Sequence, residues 1–218
     1  MGLTAVVFDL DGVLIETEEV WDAVRERYVR ERGGRWTPAA TAAMMGMSSP
    51  EWSRYLADDL GVPGDPEAIR EEVVRRMAAS YAASIPVVDG AVEVVRALAG
   101  RWPLGLASSA NRPLIDLVLE RLGLAGCFRA TVSSEEVARG KPAPDVYLAA
   151  AGRLGVPAAA CAAVEDSANG LRSAAAAGMR VVAVPNRRFP PPPELLRAAD
   201  AVVAGLRELP PALERLAG

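Results

Sequence analysis

Histidine is absent from this 218-residue chain. That excludes a histidine-based nucleophilic triad, a histidine-ligated zinc site and an imidazole proton shuttle. Cysteine is scarce: Cys127 and Cys161 are the only two. They lie outside any metal-ligand spacing and read as buried thiols of a reducing compartment, not as a disulfide framework. No apolar run approaches the roughly 20 residues that a membrane helix needs. The N-terminus runs straight into Thr4-Ala5-Val6-Val7-Phe8-Asp9, too short and too soon acidic for a signal peptide. A cytoplasmic protein without a membrane partner is therefore expected. The net charge is −4, with acid and base interspersed, so the clustered basic surface of a nucleic-acid binder is missing. Lysine is nearly absent as well, with Lys141 the only one among 24 basic residues. Where arginine has taken every other basic position, this single lysine invites attention.

What is present is a rhythm of short apolar runs between helix-length segments. The runs are Ala5 to Phe8, Leu104 to Ala107, Ala130 to Val132, Cys161 to Val164, Val181 to Val184 and Ala201 to Val203. Apolar on nearly every residue, they read as strands covered on both faces. Amphipathic stretches follow, such as Pro113 to Leu122, Asp145 to Leu154 and Ala168 to Ala177. Strand and helix alternation implies an α/β fold with a parallel, doubly wound sheet. The rhythm breaks once. Residues 16–85 hold no convincing strand but four helical stretches: Glu18 to Arg32, Pro38 to Met45, Pro50 to Leu60 and Pro66 to Ala83. A roughly 70-residue helical insertion exceeds any crossover connection. The expected organisation is a Rossmann-like core of residues 1–15 and 86–218, with residues 16–85 as a helical cap over the sheet's carboxyl edge. Pro190 to Pro193 reads as a rigid turn.

Open parallel sheets bind ligands outside the carboxyl ends of their strands. Four polar groups fall near such ends: Asp9-Leu10-Asp11-Gly12, Ser108-Ser109, Lys141 and Glu165-Asp166. Converging carboxylates suit Mg²⁺, which prefers hard oxygen ligands. An Asp-x-Asp pair is often only a solvated turn, yet Asp9 directly follows a buried strand, where an unpaired carboxylate would be costly. Gly12 permits a tight turn there. Ser108 could cap the helix beginning near Arg112 or hold a phosphate oxygen beside that helix start, and the two roles are compatible. Asp166 could cap the following helix instead of binding metal.

Four segments then resemble the haloacid dehalogenase-like hydrolase superfamily. They are Val7 to Leu14, Leu106 to Asn111, Gly140 to Asp145 and Val164 to Gly170. The similarity is nearest to the subfamily of small-molecule phosphatases and β-phosphoglucomutase-like enzymes with a helical cap after the first strand. The resemblance implies a Mg²⁺-dependent phosphatase acting on a small phosphorylated metabolite, and we expect a monomer. It implies Asp9 as nucleophile forming an aspartyl-phosphate and Asp11 as acid, then base. Ser108 and Lys141 would hold the transferring phosphoryl group, with Gly12, Ser109 and Asn111 beside it. Asp9, the Asp11 carbonyl and Asp166 would hold the metal, Glu165 joining directly or through water. The physics agrees, because a carboxylate attacking an anionic phosphoryl needs cations to neutralise both.

Departures from the family patterns narrow the reaction. Asp11 argues against a dehalogenase, and the absence of lysine from residues 16–85 argues against a Schiff-base phosphonatase. The mutase relatives carry a histidine near the start of the cap and an arginine after a Gly-x-Ser turn. Here Trp21 stands near the first position, and Ser49-Pro50 follows Gly46-Met47-Ser48. Hydrolysis is therefore favoured over a β-phosphoglucomutase-like transfer, and a non-catalytic phosphate-binding regulator comes third. Glu16, Trp21, Gly46, Met47 and Ser48 are the residues expected to select the substrate, although Trp21 and Trp52 also suit packing inside the cap.

Overall fold

The computed structural model describes residues 2–44, 47–186 and 189–218. The apolar runs form β1 (Ala5–Phe8), β2 (Leu104–Ser108), β3 (Phe128–Ser133), β4 (Cys161–Glu165), β5 (Arg180–Ala183) and β6 (Ala201–Val202). They pair in parallel in the order β3-β2-β1-β4-β5-β6. β1 is buried along its whole length, which is why its residues are apolar without alternation. Val6 faces Leu104 on one side and Ala162 on the other, and Phe8 faces Leu106 and Val164. The Asp9 N–H then donates to the Val164 carbonyl at 3.0 Å, extending the ladder by one residue. From β1 the chain builds outward to β2 and β3, then returns to place β4 on the other side of β1. That reversal is the switch point at which such sheets open a crevice, and the two strands flanking it end in Asp9 and in Glu165-Asp166.

The chain divides into two compact units, Thr17–Ile85 and the remainder, Met1–Glu16 with Pro86–Gly218. The first is helical, with α1 (Glu18–Glu31), α2 (Ala40–Met44), α3 (Ser49–Asp58) and α4 (Pro66–Ala83), and has no strand among its described residues. Asp65 caps α4, its Oδ2 accepting from the N–H groups of Glu67 and Ala68 at 3.0 and 3.3 Å, and Pro66 supplies a preset first turn. Ile69, Val73, Met77 and Tyr81 are buried every fourth residue along α4, one stripe of a helix packed on its neighbours. Tyr28, Val29, Trp52 and Leu56 close the same core. Arg76 donates to Glu72 at 2.7 Å and to Glu31 at 2.6 Å, pinning α4 to α1.

The sheet unit carries α5 (Ala91–Ala99), α6 (Arg112–Arg121), α7 (Asp145–Leu154), α8 (Ala168–Ala176), α9 (Pro193–Ala198) and α10 (Leu209–Ala217). One face of the sheet, with Ala5, Val7, Ala107, Val132 and Ala163, packs against Val146, Tyr147 and Ala150 of α7 and Leu171 and Ala174 of α8. Helix α5 is the element the sequence rhythm alone does not announce. Its buried positions, Ala91, Val94, Val95 and Leu98, do keep helical spacing, but only nine residues separate Gly90 from Gly100. Cys161 is buried in β4 as expected, whereas Cys127 is only half-buried.

Candidate active site

The site is assembled at the carboxyl ends of β1, β2 and β4. After Asp9 the chain turns sharply: the Leu14 and Ile15 N–H groups both return to the Leu10 carbonyl, at 2.8 and 3.2 Å. Gly12 sits inside this turn at φ +81°, a conformation that L side chains disfavour. A Cβ on Gly12 would also overlap the Asp166 carboxylate. The glycine therefore serves two ends at once, the turn after β1 and the approach of Asp166 from β4.

Lys141 reaches Asp9 from the loop before α7. Its Nζ lies 2.8 Å from Asp9 Oδ1 and 2.5 Å from Glu165 Oε1. The three side chains are 5%, 9% and 0% exposed, so this is a buried ionic cluster, not a surface pair. Glu165 is held from all sides. Oε1 accepts from Lys141 and, at 2.9 Å, from the Tyr147 hydroxyl. Oε2 accepts from the N–H groups of Asp166 and Ser167 and from the Ser167 hydroxyl, at 3.0, 3.1 and 3.1 Å. A carboxylate offers about four lone-pair sites, and five donors surround this one. Gly170, in the first turn of α8, makes room for it, since a Cβ there would overlap the Glu165 carboxylate. Ser167, not Asp166, caps α8, its Oγ accepting from the Gly170 N–H at 3.1 Å.

Ser108 ends β2, fully buried, with its Oγ accepting from the Ala110 N–H at 2.9 Å and donating to Asp11 Oδ2 at 3.4 Å. The first residue before α6 is Asn111, so the capping role left open for Ser108 is not taken up. Asn111 is itself buried and donates to Glu135 Oε1 at 2.5 Å, while Ser109 is half-buried. The Ser133 hydroxyl fixes the loop between them by donating to the Ala110 carbonyl at 2.6 Å.

Burial pushes the Asp9 carboxyl up to about 8 even against the pull of Lys141, and Glu165 and Asp11 push it the same way. Burial alone would lower the Lys141 ammonium, but the Asp9 and Glu165 carboxylates hold it well above its ordinary value. The Tyr147 phenol is raised by burial and by Glu165, which keeps it protonated and a donor. One ammonium thus faces the carboxylates of Asp9 and Glu165. Asp9, Glu165 and Asp166 bring oxygen atoms within 4.8 Å of one another, an all-oxygen donor set that fits a hard divalent cation. Proximity admits all three, and of these Glu165 is the one whose oxygens already accept from five protein donors.

The residues expected to select substrate are placed as follows. Glu16 is exposed, its N–H donating to the Pro86 carbonyl at 2.8 Å. The Trp21 and Trp52 rings pack with centroids 6.0 Å apart, and the Arg25 guanidinium lies 4.5 and 4.9 Å from them. Met47 is partly buried against the helical core. The Ser48 N–H and hydroxyl both donate to Glu51 at 2.6 Å, opening α3. Gly46 lies outside the described residues. Two groups join the site that the motifs did not single out. Tyr147, on the buried face of α7, reads in sequence as an ordinary core aromatic. Asn186, beyond β5, donates to Asp166 Oδ2 at 3.3 Å while its Oδ1 accepts from the Phe189 N–H at 3.1 Å, and nothing in its local sequence marks it.

A match to the haloacid dehalogenase-like hydrolase family spans residues 3–178. The chain belongs to that family. It is 32% identical over 219 residues to a probable pseudouridine-5'-phosphatase of Drosophila melanogaster, covering 96% of this chain and 92% of that one. It is 31% identical over 208 residues to a bifunctional riboflavin kinase/FMN phosphatase of Arabidopsis thaliana, covering 94% of this chain but only 54% of the larger protein. Among solved structures, CbbY of Rhodobacter sphaeroides in complex with phosphate superposes with a TM-score of 0.85 at 26% identity, covering 97% of this chain and 99% of that one. The expected enzyme class, a phosphoric monoester hydrolase, agrees with these relatives, and the parallel sheet agrees with the structural neighbour. No helix among the described residues is long and apolar enough to cross a membrane.

Proposed function

We propose that this hydrolase is a magnesium-dependent phosphatase of a small phosphorylated metabolite, working through an aspartyl-phosphate on Asp9. The observation that supports this reading is the buried Lys141–Asp9 pair set beside Asp166 and Asp11 at the switch point of the sheet. Asp9 and Asp166, with the Asp11 backbone carbonyl, are the groups that would hold Mg²⁺. When bound, the ion neutralises charge on the transferring phosphoryl group and favours the ionised form of Asp9.

The chain's own residues then have distinct tasks. An Asp9 oxygen attacks phosphorus, the P–O bond to the alcohol breaks, and the phosphoryl group passes to Asp9. Asp11, positioned by the turn at Gly12 and by Ser108, gives its proton to the leaving alkoxide. The same carboxylate next takes a proton from water, which attacks the aspartyl-phosphate and frees phosphate and Asp9. Lys141 and Ser108 hold phosphoryl oxygens, and the low-dielectric surroundings make those contacts strong. Substrate choice is assigned to Glu16 and to the helical unit Thr17–Ile85, acting as a cap. The lack of histidine and of an arginine after Ser48 weighs against a return transfer to a sugar bisphosphate.

The reading is tested by phosphate release from phosphorylated sugars, polyols, glycolate and nucleotides, with Mg²⁺ and with EDTA. Metal-dependent release supports it. Conversion of β-glucose 1-phosphate without release would replace it by mutase chemistry.

A further inference from the structure

Lys141 has three acceptors for its three protons. Asp9 Oδ1 and Glu165 Oε1 are close, at 2.8 and 2.5 Å, and the Tyr147 hydroxyl is longer, at 3.5 Å. The ammonium also lies 5.0 Å from the centre of the Tyr147 ring, so one face of the lysine pocket is aromatic. The Tyr147 hydroxyl points its own proton at Glu165 Oε1, the same oxygen that receives Lys141. Tyr147 and Glu165 are both completely buried, and a buried hydroxyl without a partner would be costly. Tyr147, Glu165 and Lys141 therefore form a closed relay of hydrogen bonds ending on Asp9.

We propose that Tyr147 is a positioning residue for the phosphoryl-transfer site, orienting Glu165 so that Glu165 holds Lys141 over Asp9 and stays outside the metal's ligand set. The proposal rests on the phosphatase reading above for its consequence in catalysis, though not for its geometry. Three features converge on it. The five donors around Glu165 exceed its lone pairs, so the carboxylate is committed to the protein. Two of those donors, the Asp166 and Ser167 N–H groups, belong to the backbone beside it and fix Oε2, which leaves Oε1 to be aimed by Tyr147. Gly170 leaves the carboxylate room on this line, since a Cβ there would overlap it. When a phosphoryl oxygen enters, the long contact from Lys141 to the Tyr147 oxygen is the one that can be given up, while the Glu165 and Asp9 contacts persist. Partners that orient a charged group typically change activity by about 10-fold or more when removed.

The single lysine makes a direct test possible, because isotopically labelled lysine yields one side-chain ammonium signal by nuclear magnetic resonance. In the free wild-type protein we expect that signal to be protected from exchange with water. Tyr147→Phe keeps the ring and removes the hydroxyl. It should expose the ammonium to exchange and lower kcat about 10-fold with KM within about twofold. Binding of Mn²⁺ alone should stay within about twofold of wild type, since neither Tyr147 nor Glu165 is assigned to the metal. A protected ammonium in Tyr147→Phe, an unchanged kcat, weakened Mn²⁺ binding, or a wild-type ammonium that already exchanges freely would each overturn the proposal. If Tyr147→Phe does not fold, Glu165→Gln reports on the same relay, and a lysine signal still protected in that variant overturns it. Should the wild type release phosphate from no ester, the phosphatase reading fails, while the lysine signal still decides whether Tyr147 places Lys141.

Discussion

The Lys141 ammonium lies 2.8 Å from Asp9 Oδ1 across 132 residues of sequence, and both side chains are almost wholly buried. The two carboxylates beside Lys141 hold its ammonium charged, and removing either side of such a buried pair leaves the other without its partner. The pair therefore ties the loop before α7 to the end of β1 as well as serving the chemistry.

Removing the cation tests that double role. Lys141→Met should lower the unfolding free energy by about 3 kcal/mol, the scale for breaking one side of a buried pair. The cost stays at the low end of that scale because Asp9, already pushed up to about 8, can take up a proton. Turnover should be lost. Urea denaturation beside phosphate release measures both, and a variant of wild-type stability would show that the pair is structurally dispensable.

Gly12 and Gly178 separate backbone strain from site geometry. Both have positive φ, +81° and +75°. A Cβ on Gly178 meets nothing within 4 Å, whereas one on Gly12 overlaps Asp166. Gly178→Ala should cost about 1 kcal/mol and leave kcat unchanged. Gly12→Ala should carry the same strain and displace Asp166, lowering kcat about 100-fold, as misplacement by about 1 Å does elsewhere. Equal kcat values for the two variants would mean that Asp166 need not stand where Gly12 admits it.

Much of this site was legible because each element ends in its own chemistry. The wholly apolar Ala5 to Phe8 run could only be a buried strand, and an aspartate directly after it demanded a partner. Lys141 stood out as the single lysine, and the Val164 to Gly170 segment named the opposing carboxylates. What stayed hidden depends on side chains meeting across the fold. Tyr147 lies 18 residues before Glu165, a separation with no helical or strand periodicity to reveal it. Asn186 meets Asp166 from beyond β5 for the same reason. Ser108 had two compatible roles in sequence, and only the position of Asn111 before α6 separates them. Trp21, Met47 and Ser48 show packing or capping contacts in the helical unit, which a list of polar and aromatic residues could not distinguish from substrate contacts.

Cys161 supplies a pH-dependent test away from the site. Burial pushes its thiol up to about 11, above the roughly 8.5 of an exposed cysteine. A group whose pKa is raised on folding stabilises the fold fully below its unfolded pKa, here about 8.5, and loses that contribution as pH rises through about 11. The stability advantage of wild type over Cys161→Ala should therefore shrink as pH climbs through that window. Chemical denaturation at several pH values measures it, and a gap that stays constant would contradict the buried-thiol account.

The central claim is that Asp9 is the group that receives the phosphoryl. Phosphate release by Asp9→Asn, measured with Mg²⁺ beside wild type on the best substrate of the panel, tests it most directly. The substitution keeps size and removes the attacking charge, so the variant should fold, with an unchanged circular dichroism spectrum, and release no phosphate above background. A folded Asp9→Asn protein turning over at near the wild-type rate would contradict the nucleophile assignment and, with it, the mechanism built on the Lys141–Asp9 pair.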